Sequence, residues 1–229
     1  MKPTLIFLHG GPGFRDYLKP FFKSLAVKFN CEFYDQIRGP TVTIDEMLAQ
    51  LNTRVCSIPG KKILVGHSWG AVLATAYVTQ HEEQLAGLVL MSTGLSHKHW
   101  NDEFQLERTK LGLLSAKPHE IFLTPHEAND GTSFLDQTWE SFSSETFECM
   151  QTYLDSYDLT DSFRNIGIPI LNIFGEKDVR FPARICRTFQ TLNKRVTNFE
   201  IAGAGHFPFL QRAGREKIFK ILENAFLEK

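Results

Sequence analysis

The sequence predicts an α/β fold: a parallel sheet covered by helices and interrupted once by a helical insertion. Three observations predict it. Short apolar runs alternate with helical patterns up to residue 92, the alternation resumes after residue 166, and the rhythm is lost between them. The 229 residues, 42% hydrophobic and 12% aromatic, suffice for one sizeable core and exclude a disordered chain.

The elements follow in order. Thr4 to Leu8 is the first strand and runs into a glycine cluster. Pro20 stands where a first-turn proline is tolerated, and Phe21, Phe22 and Leu25 follow at helical spacing. Cys31 to Asp35 is the second strand. Thr43 and Glu46 then make a capping box, and Ile44, Met47, Leu48, Leu51 and Val55 line one face of the helix it opens. Ile63 to Gly66, the Ala-rich helix Ala71 to Thr79, and Leu88 to Ser92 come next. In residues 93–166, Gly112, Pro118, Pro125 and Gly131 punctuate short helical pieces, so a lid (cap) is expected there, with 1–92 and 167–229 forming the core. The core resumes with strand Ile170 to Phe174, helix Ala183 to Leu192 and strand Thr197 to Ile201. A last helix turns Ile218, Ile221, Leu222, Ala225 and Phe226 to one side.

With 25 Lys plus Arg against 26 Asp plus Glu, the formal charge of -1 gives no overall field for nucleic acid or an anionic membrane, and neither is expected as a partner. The distribution is uneven, because residues 93–166 hold 13 acids and 5 bases while the remainder holds 13 and 20. An acidic lid on a basic body would favour neutral or cationic small molecules if its carboxylates line the entrance. Cys31, Cys56, Cys149 and Cys186 are widely spaced without a CxxC pair, which reads as free buried thiols. No apolar run approaches the ~20 residues that cross a bilayer, and the start has no signal-peptide core, so a cytoplasmic location is expected. Neither a metal nor a cofactor is expected: His97 and His99 form an HxH pair with no further ligand pattern and read as surface residues. The oligomeric state is open.

Gly66-His67-Ser68-Trp69-Gly70 fits G-x-S-x-G, between a strand and an Ala-rich helix. A sharp strand-to-helix turn lifts the serine hydroxyl above the sheet, points a helix N-terminus at it, and demands small flanking residues. A serine hydroxyl is a poor nucleophile unless a base takes its proton, and that base needs an acid to hold its tautomer. Both should follow at later strand ends, where Gly175-Glu176-Lys177-Asp178 and Gly203-Ala204-Gly205-His206 stand. This gives Ser68, Asp178 and His206 as catalytic candidates, with Glu176 the other choice of acid. His9-Gly10-Gly11-Pro12-Gly13 follows the first strand and can bring free N–H groups to an oxyanion. The N–H groups of Gly11 (Gly10 otherwise) and Trp69 are the expected oxyanion hole; the lysine and glycine spacing of a phosphate loop are missing.

On these residues the sequence resembles the α/β-hydrolase superfamily, and within it the proline iminopeptidase-like group. HGGPG at 9–13, the Trp in GHSWG, and Tyr34-Asp35-Gln36, similar to the start of that group's DQRG segment, carry the resemblance. The chain departs from the group at His67, where a glycine is usual, and at Ile37, which interrupts the segment. The resemblance places Thr4 to Leu8 as the third of the superfamily's eight strands, implying a reduced sheet of six parallel strands. It implies a serine hydrolase acting on a small ester or amide, iminopeptidase-like in one reading and a carboxylesterase or thioesterase in another. A ligand-binding module that keeps the fold without turnover is the third.

Overall fold

The computed structural model describes residues 2–227. Its sheet is built from β1 (Thr4–Leu8), β2 (Asn30–Phe33), β3 (Lys62–His67), β4 (Gly87–Met91), β5 (Ile170–Gly175) and β6 (Val196–Ile201). The order is β2-β1-β3-β4-β5-β6 and every pairing is parallel, as the sequence predicts. A parallel sheet covered on both faces must bury alternate residues on opposite sides. Ile6, Leu64, Leu88 and Leu90 accordingly join one core cluster, and Leu5, Ile63, Val65 and Val89 join the other.

The first cluster is covered by α2 (Ile44–Ser57), α3 (Trp69–His81) and α9 (Ala183–Leu192); the second lies under α1 (Lys19–Phe22) and α10 (Arg212–Phe226). Thr43 and Glu46 form both bonds of the capping box that starts α2, and Met47, Leu51 and Val55 are its buried stripe. Three expectations shift at their edges. The helix opened by Pro20 tightens to a 3₁₀ turn after Phe22, Ala225 is exposed in the last turn of α10, and β2 ends at Phe33 rather than Asp35. The last has a physical cause: Asp35 accepts the Asp16 N–H at 2.6 Å and the Arg15 guanidinium at 2.9 Å, drawing the chain out of the ladder.

Between β4 and β5 lie α4 (His97–Lys110), α5 (Pro118–Phe122), α6 (Ala128–Glu140), α7 (Ser144–Ser156) and α8 (Thr160–Arg164). They sit over the carboxyl ends of the strands, tied there by polar bonds to the core: Arg38 donates to the Ser141 carbonyl at 2.8 Å, Gly39 N–H to Thr146 at 2.9 Å and Ser143 N–H to the Gly13 carbonyl at 2.9 Å. Arg184 of α9 grips Glu103 and Glu107 of α4. Of the cysteines only Cys186 is fully buried; Cys56 is exposed, and all four are free thiols. No helix among the described residues is long and apolar enough to cross a membrane.

Candidate active site

The sharp turn after β3 puts Ser68 at φ 54° and ψ -120°, a strained conformation for a residue with a side chain. Its neighbours show why the motif needs glycine. A methyl at Gly66 would run into the backbone of Gly70 and Ala71, and one at Gly70 into the carbonyls of Leu8 and His9. Helix α3 begins at Trp69, so its N-terminal N–H groups and positive dipole end lie at the serine.

Asp178 and His206 come together although 28 positions apart: His206 Nδ1 lies 3.1 Å from Asp178 Oδ2, with both residues 3% exposed. A carboxylate only accepts, so Nδ1 carries the proton and Nε2 keeps its lone pair. The other carboxylate oxygen, Oδ1, accepts the N–H groups of Arg180 (2.9 Å) and Phe181 (3.0 Å), which fixes the carboxyl plane. Glu176 is committed elsewhere, accepting the Gly203 N–H at 2.8 Å beside Lys177. Ser68, Gly11 and His206 line one cavity of about 420 Å³.

Gly10 N–H donates to the Tyr17 hydroxyl at 2.8 Å, whereas the Gly11 N–H has no acceptor among the described residues, so of the two candidates Gly11 is the free donor. Gly11 takes φ 139°, a backbone state that suits glycine. Gln36 braces this arrangement by donating to the His9 carbonyl (2.7 Å) while accepting the Trp69 indole N–H (2.9 Å). The Tyr34-Asp35-Gln36 segment thus links the loop to the residue after the serine.

Sequence reasoning missed four residues. His67 is fully buried between the two loops: its Nε2 meets the His206 carbonyl at 2.9 Å, so that nitrogen is the donor, and its Nδ1 accepts the Tyr17 hydroxyl at 2.6 Å. Tyr17 is the second, sharing its oxygen with Gly10. Glu127 is the third, a buried carboxylate that accepts the Thr124 N–H at 2.8 Å and the Gly205 N–H at 3.1 Å, clasping the His206 loop from the β4–β5 segment. The fourth is Arg180, half-buried, with its guanidinium 4.2 Å from the Trp100 ring centre and 4.7 Å from that of Phe104. Only the departure from the group's usual glycine could have drawn attention to His67 in advance.

The charge of residues 93–166 distributes differently from its expectation. The 420 Å³ cavity is walled by Phe14, Phe122, Trp139, Phe142 and Phe147 and takes no carboxylate from the described residues of the β4–β5 segment. A second cleft of about 200 Å³ shares Ser68, Gly11 and Arg180 with it and includes Trp69, Trp100 and a single carboxylate, Asp155. Asp155 is held by Gln151 at 2.6 Å and lies beside His97, which therefore lines a cleft rather than plain surface. Glu103, Glu107 and Glu127 are spent on holding the segment to the core.

Burial together with the nearby His206 ring holds His67 well below the usual histidine range, and burial lowers His9 to about 4. His9 has both ring nitrogens engaged, Nδ1 at the Gly10 carbonyl (2.8 Å) and Nε2 at the Gln36 N–H (3.1 Å). A folded-state value below the unfolded ~6.5 means the unfolded chain binds more protons in between. Stability is therefore complete above pH ~6.5 and falls as pH drops toward the folded values, by ~1.4 kcal/mol per pH unit for each histidine. Urea midpoints measured from pH 7.5 to 5 are expected to fall accordingly, and His9→Gln to flatten the slope; an unchanged slope would place the titration elsewhere.

The comparisons agree with this fold. The sequence profile of the alpha/beta hydrolase fold matches residues 3–213. A proline iminopeptidase from Lactobacillus helveticus is 25% identical over 255 residues, covering 92% of this chain and 86% of that one. A pimeloyl-[acyl-carrier protein] methyl ester esterase from Wigglesworthia glossinidia brevipalpis is 26% identical over 172 residues, 68% of this chain and 66% of its own. Among solved structures, a proline iminopeptidase-related protein from Thermus thermophilus superimposes with a TM-score of 0.81 at 18% identity, covering 99% of this chain and 90% of that one. Profile, sheet order and strand-to-helix elbow converge: this chain belongs to the alpha/beta hydrolase fold family, with proline iminopeptidases among its relatives.

Proposed function

We propose that this hydrolase cleaves small carboxylic esters through a Ser68-His206-Asp178 triad. The observation that carries the reading is that the strained serine elbow and His206, hydrogen-bonded to Asp178, open on the same aromatic-walled cavity. Ser68 Oγ attacks the ester carbonyl while His206 Nε2 removes its proton. The negative charge that develops on the carbonyl oxygen is met by the N–H groups of Trp69 and Gly11, which have no acceptor within the described residues. His206 then gives its proton to the departing alcohol. Water, activated by the same imidazole, hydrolyses the acyl-enzyme. The β4–β5 segment acts as a lid that keeps bulk water from the intermediate.

A cation is recognised by carboxylates and an acyl chain by an apolar wall. The larger cavity supplies the wall, which is why the ester reading is preferred to the iminopeptidase one. Iminopeptidase-like action remains the second reading, favoured by Asp155 in the smaller cleft. A panel of p-nitrophenyl acyl esters and aminoacyl-arylamides, proline included, decides between them. Esters are expected to exceed prolyl-arylamide by about 100-fold in kcat/KM, the worth of leaving a buried charge unpaired; the opposite ranking would establish the peptidase reading. Covalent labelling by a fluorophosphonate is expected at Ser68, and its failure would indicate a binding module without turnover.

A further inference from the structure

Arg180 stands two residues after Asp178, and its backbone N–H is already used to orient that carboxylate. Its side chain is not used in the same way. The guanidinium makes no hydrogen bond or ion pair among the described residues, although it is stacked over Trp100 and Phe104 and withdrawn from much of the solvent. Desolvation lowers it to about 10, the mark of a cation kept where water does not fully solvate it. Asp178, the carboxylate that acts on it electrostatically, has one oxygen on His206 and the other on two backbone N–H groups. Five donors in a planar fork are thus left facing the space around Ser68. A half-buried cation without an acceptor is costly unless a ligand supplies one.

The two spaces meet at Ser68 and Gly11, the attacking residue and an oxyanion donor, which line both. Arg180 lines both as well, so the acyl part of an ester bound with its carbonyl at Ser68 lies beside the guanidinium in either space. The one described carboxylate in their linings, Asp155, is bonded to Gln151 at 2.6 Å. Resting on the esterase reading above, we infer that Arg180 makes the site selective for esters whose short acyl chain ends in a carboxylate, which the guanidinium fork binds while Ser68 attacks the ester carbonyl. This reverses the preference that the acidic composition of residues 93–166 suggests, because Asp155 is the one described acid of that segment lining either space, while Glu103, Glu107 and Glu127 are bonded to the core.

Two p-nitrophenyl esters of equal chain length test it, the hemiglutarate and the pentanoate, with wild-type protein and Arg180→Met. Methionine keeps an apolar side chain against Trp100 and removes only the charge and the fork. Wild type is expected to prefer the hemiglutarate by at least about tenfold in kcat/KM. Arg180→Met is expected to lose about 100-fold on the hemiglutarate, chiefly in KM, and less than about threefold on the pentanoate. A second measurement does not require turnover: glutarate binding to Ser68→Ala protein by calorimetry, expected to vanish when Arg180→Met is added. Equal loss on both esters would make Arg180 a prop for the Trp100 stack and overturn the inference, as would a wild-type preference for the pentanoate or glutarate binding that survives Arg180→Met. If no ester is turned over, the esterase reading fails and the glutarate measurement still decides whether Arg180 binds a carboxylate.

Discussion

Replacing Ser68 by alanine is expected to cut kcat by about 10⁵- to 10⁶-fold while leaving the fold intact. The size of the loss follows from the division of labour at the elbow. Without the hydroxyl neither His206 nor Asp178 has a nucleophile to serve, and only binding and the oxyanion donors remain. Stability is expected to change little, since the backbone strain at φ 54° is borne by serine and alanine alike and the hydroxyl has no bonded partner among the described residues. Ester hydrolysis and the thermal midpoint, measured on the same preparation, check both halves. Retention of more than a few per cent of wild-type activity would move the nucleophile to another residue.

Asp178→Asn is expected to cost about 10⁴-fold in kcat, and the hydrogen bonds say why. One oxygen at position 178 has to accept the N–H groups of Arg180 and Phe181, so an asparagine would keep its carbonyl there and turn its NH₂ toward His206. The NH₂ can only donate. His206 Nδ1 would become the acceptor, its proton would move to Nε2, and the imidazole facing Ser68 could no longer act as a base. Glu176→Gln is expected to change kcat by less than about threefold, because Glu176 serves the Gly203 N–H and the exposed Lys177. A reversed ranking of the two variants would move the acid to Glu176.

The strands and the elbow were legible because their signals are local. An apolar run marks β1, a capping box marks α2, and a glycine on each side of Ser68 marks a turn that tolerates nothing larger. Asp178 and His206 were legible through their placement after strand ends, which is also local. Arg180, Tyr17, His67 and Glu127 were not, because each matters through a partner far along the chain: Tyr17 meets His67 across 50 positions and Glu127 meets Gly205 across 78. The acidic count misled for a related reason. Composition records how many carboxylates a segment has but not which face of a helix carries them, and Glu103 and Glu107 turned out to hold α4 against Arg184.

His67 gives the site a property that neither loop has alone. The loop that carries Gly11 and the loop that carries His206 hang from opposite nitrogens of one imidazole, through Tyr17 on one side and the His206 carbonyl on the other. Tyr17→Phe would strand a buried acceptor on His67 and a buried donor on Gly10 in one step, and a glycine at 67, as the related group usually has, would leave Tyr17 with no base to address. In the terms of inheritance, positions 17 and 67 are a single character. Residues over the cleft can be exchanged one at a time without touching this pairing, whereas a change at 17 or at 67 alone leaves its partner unsatisfied.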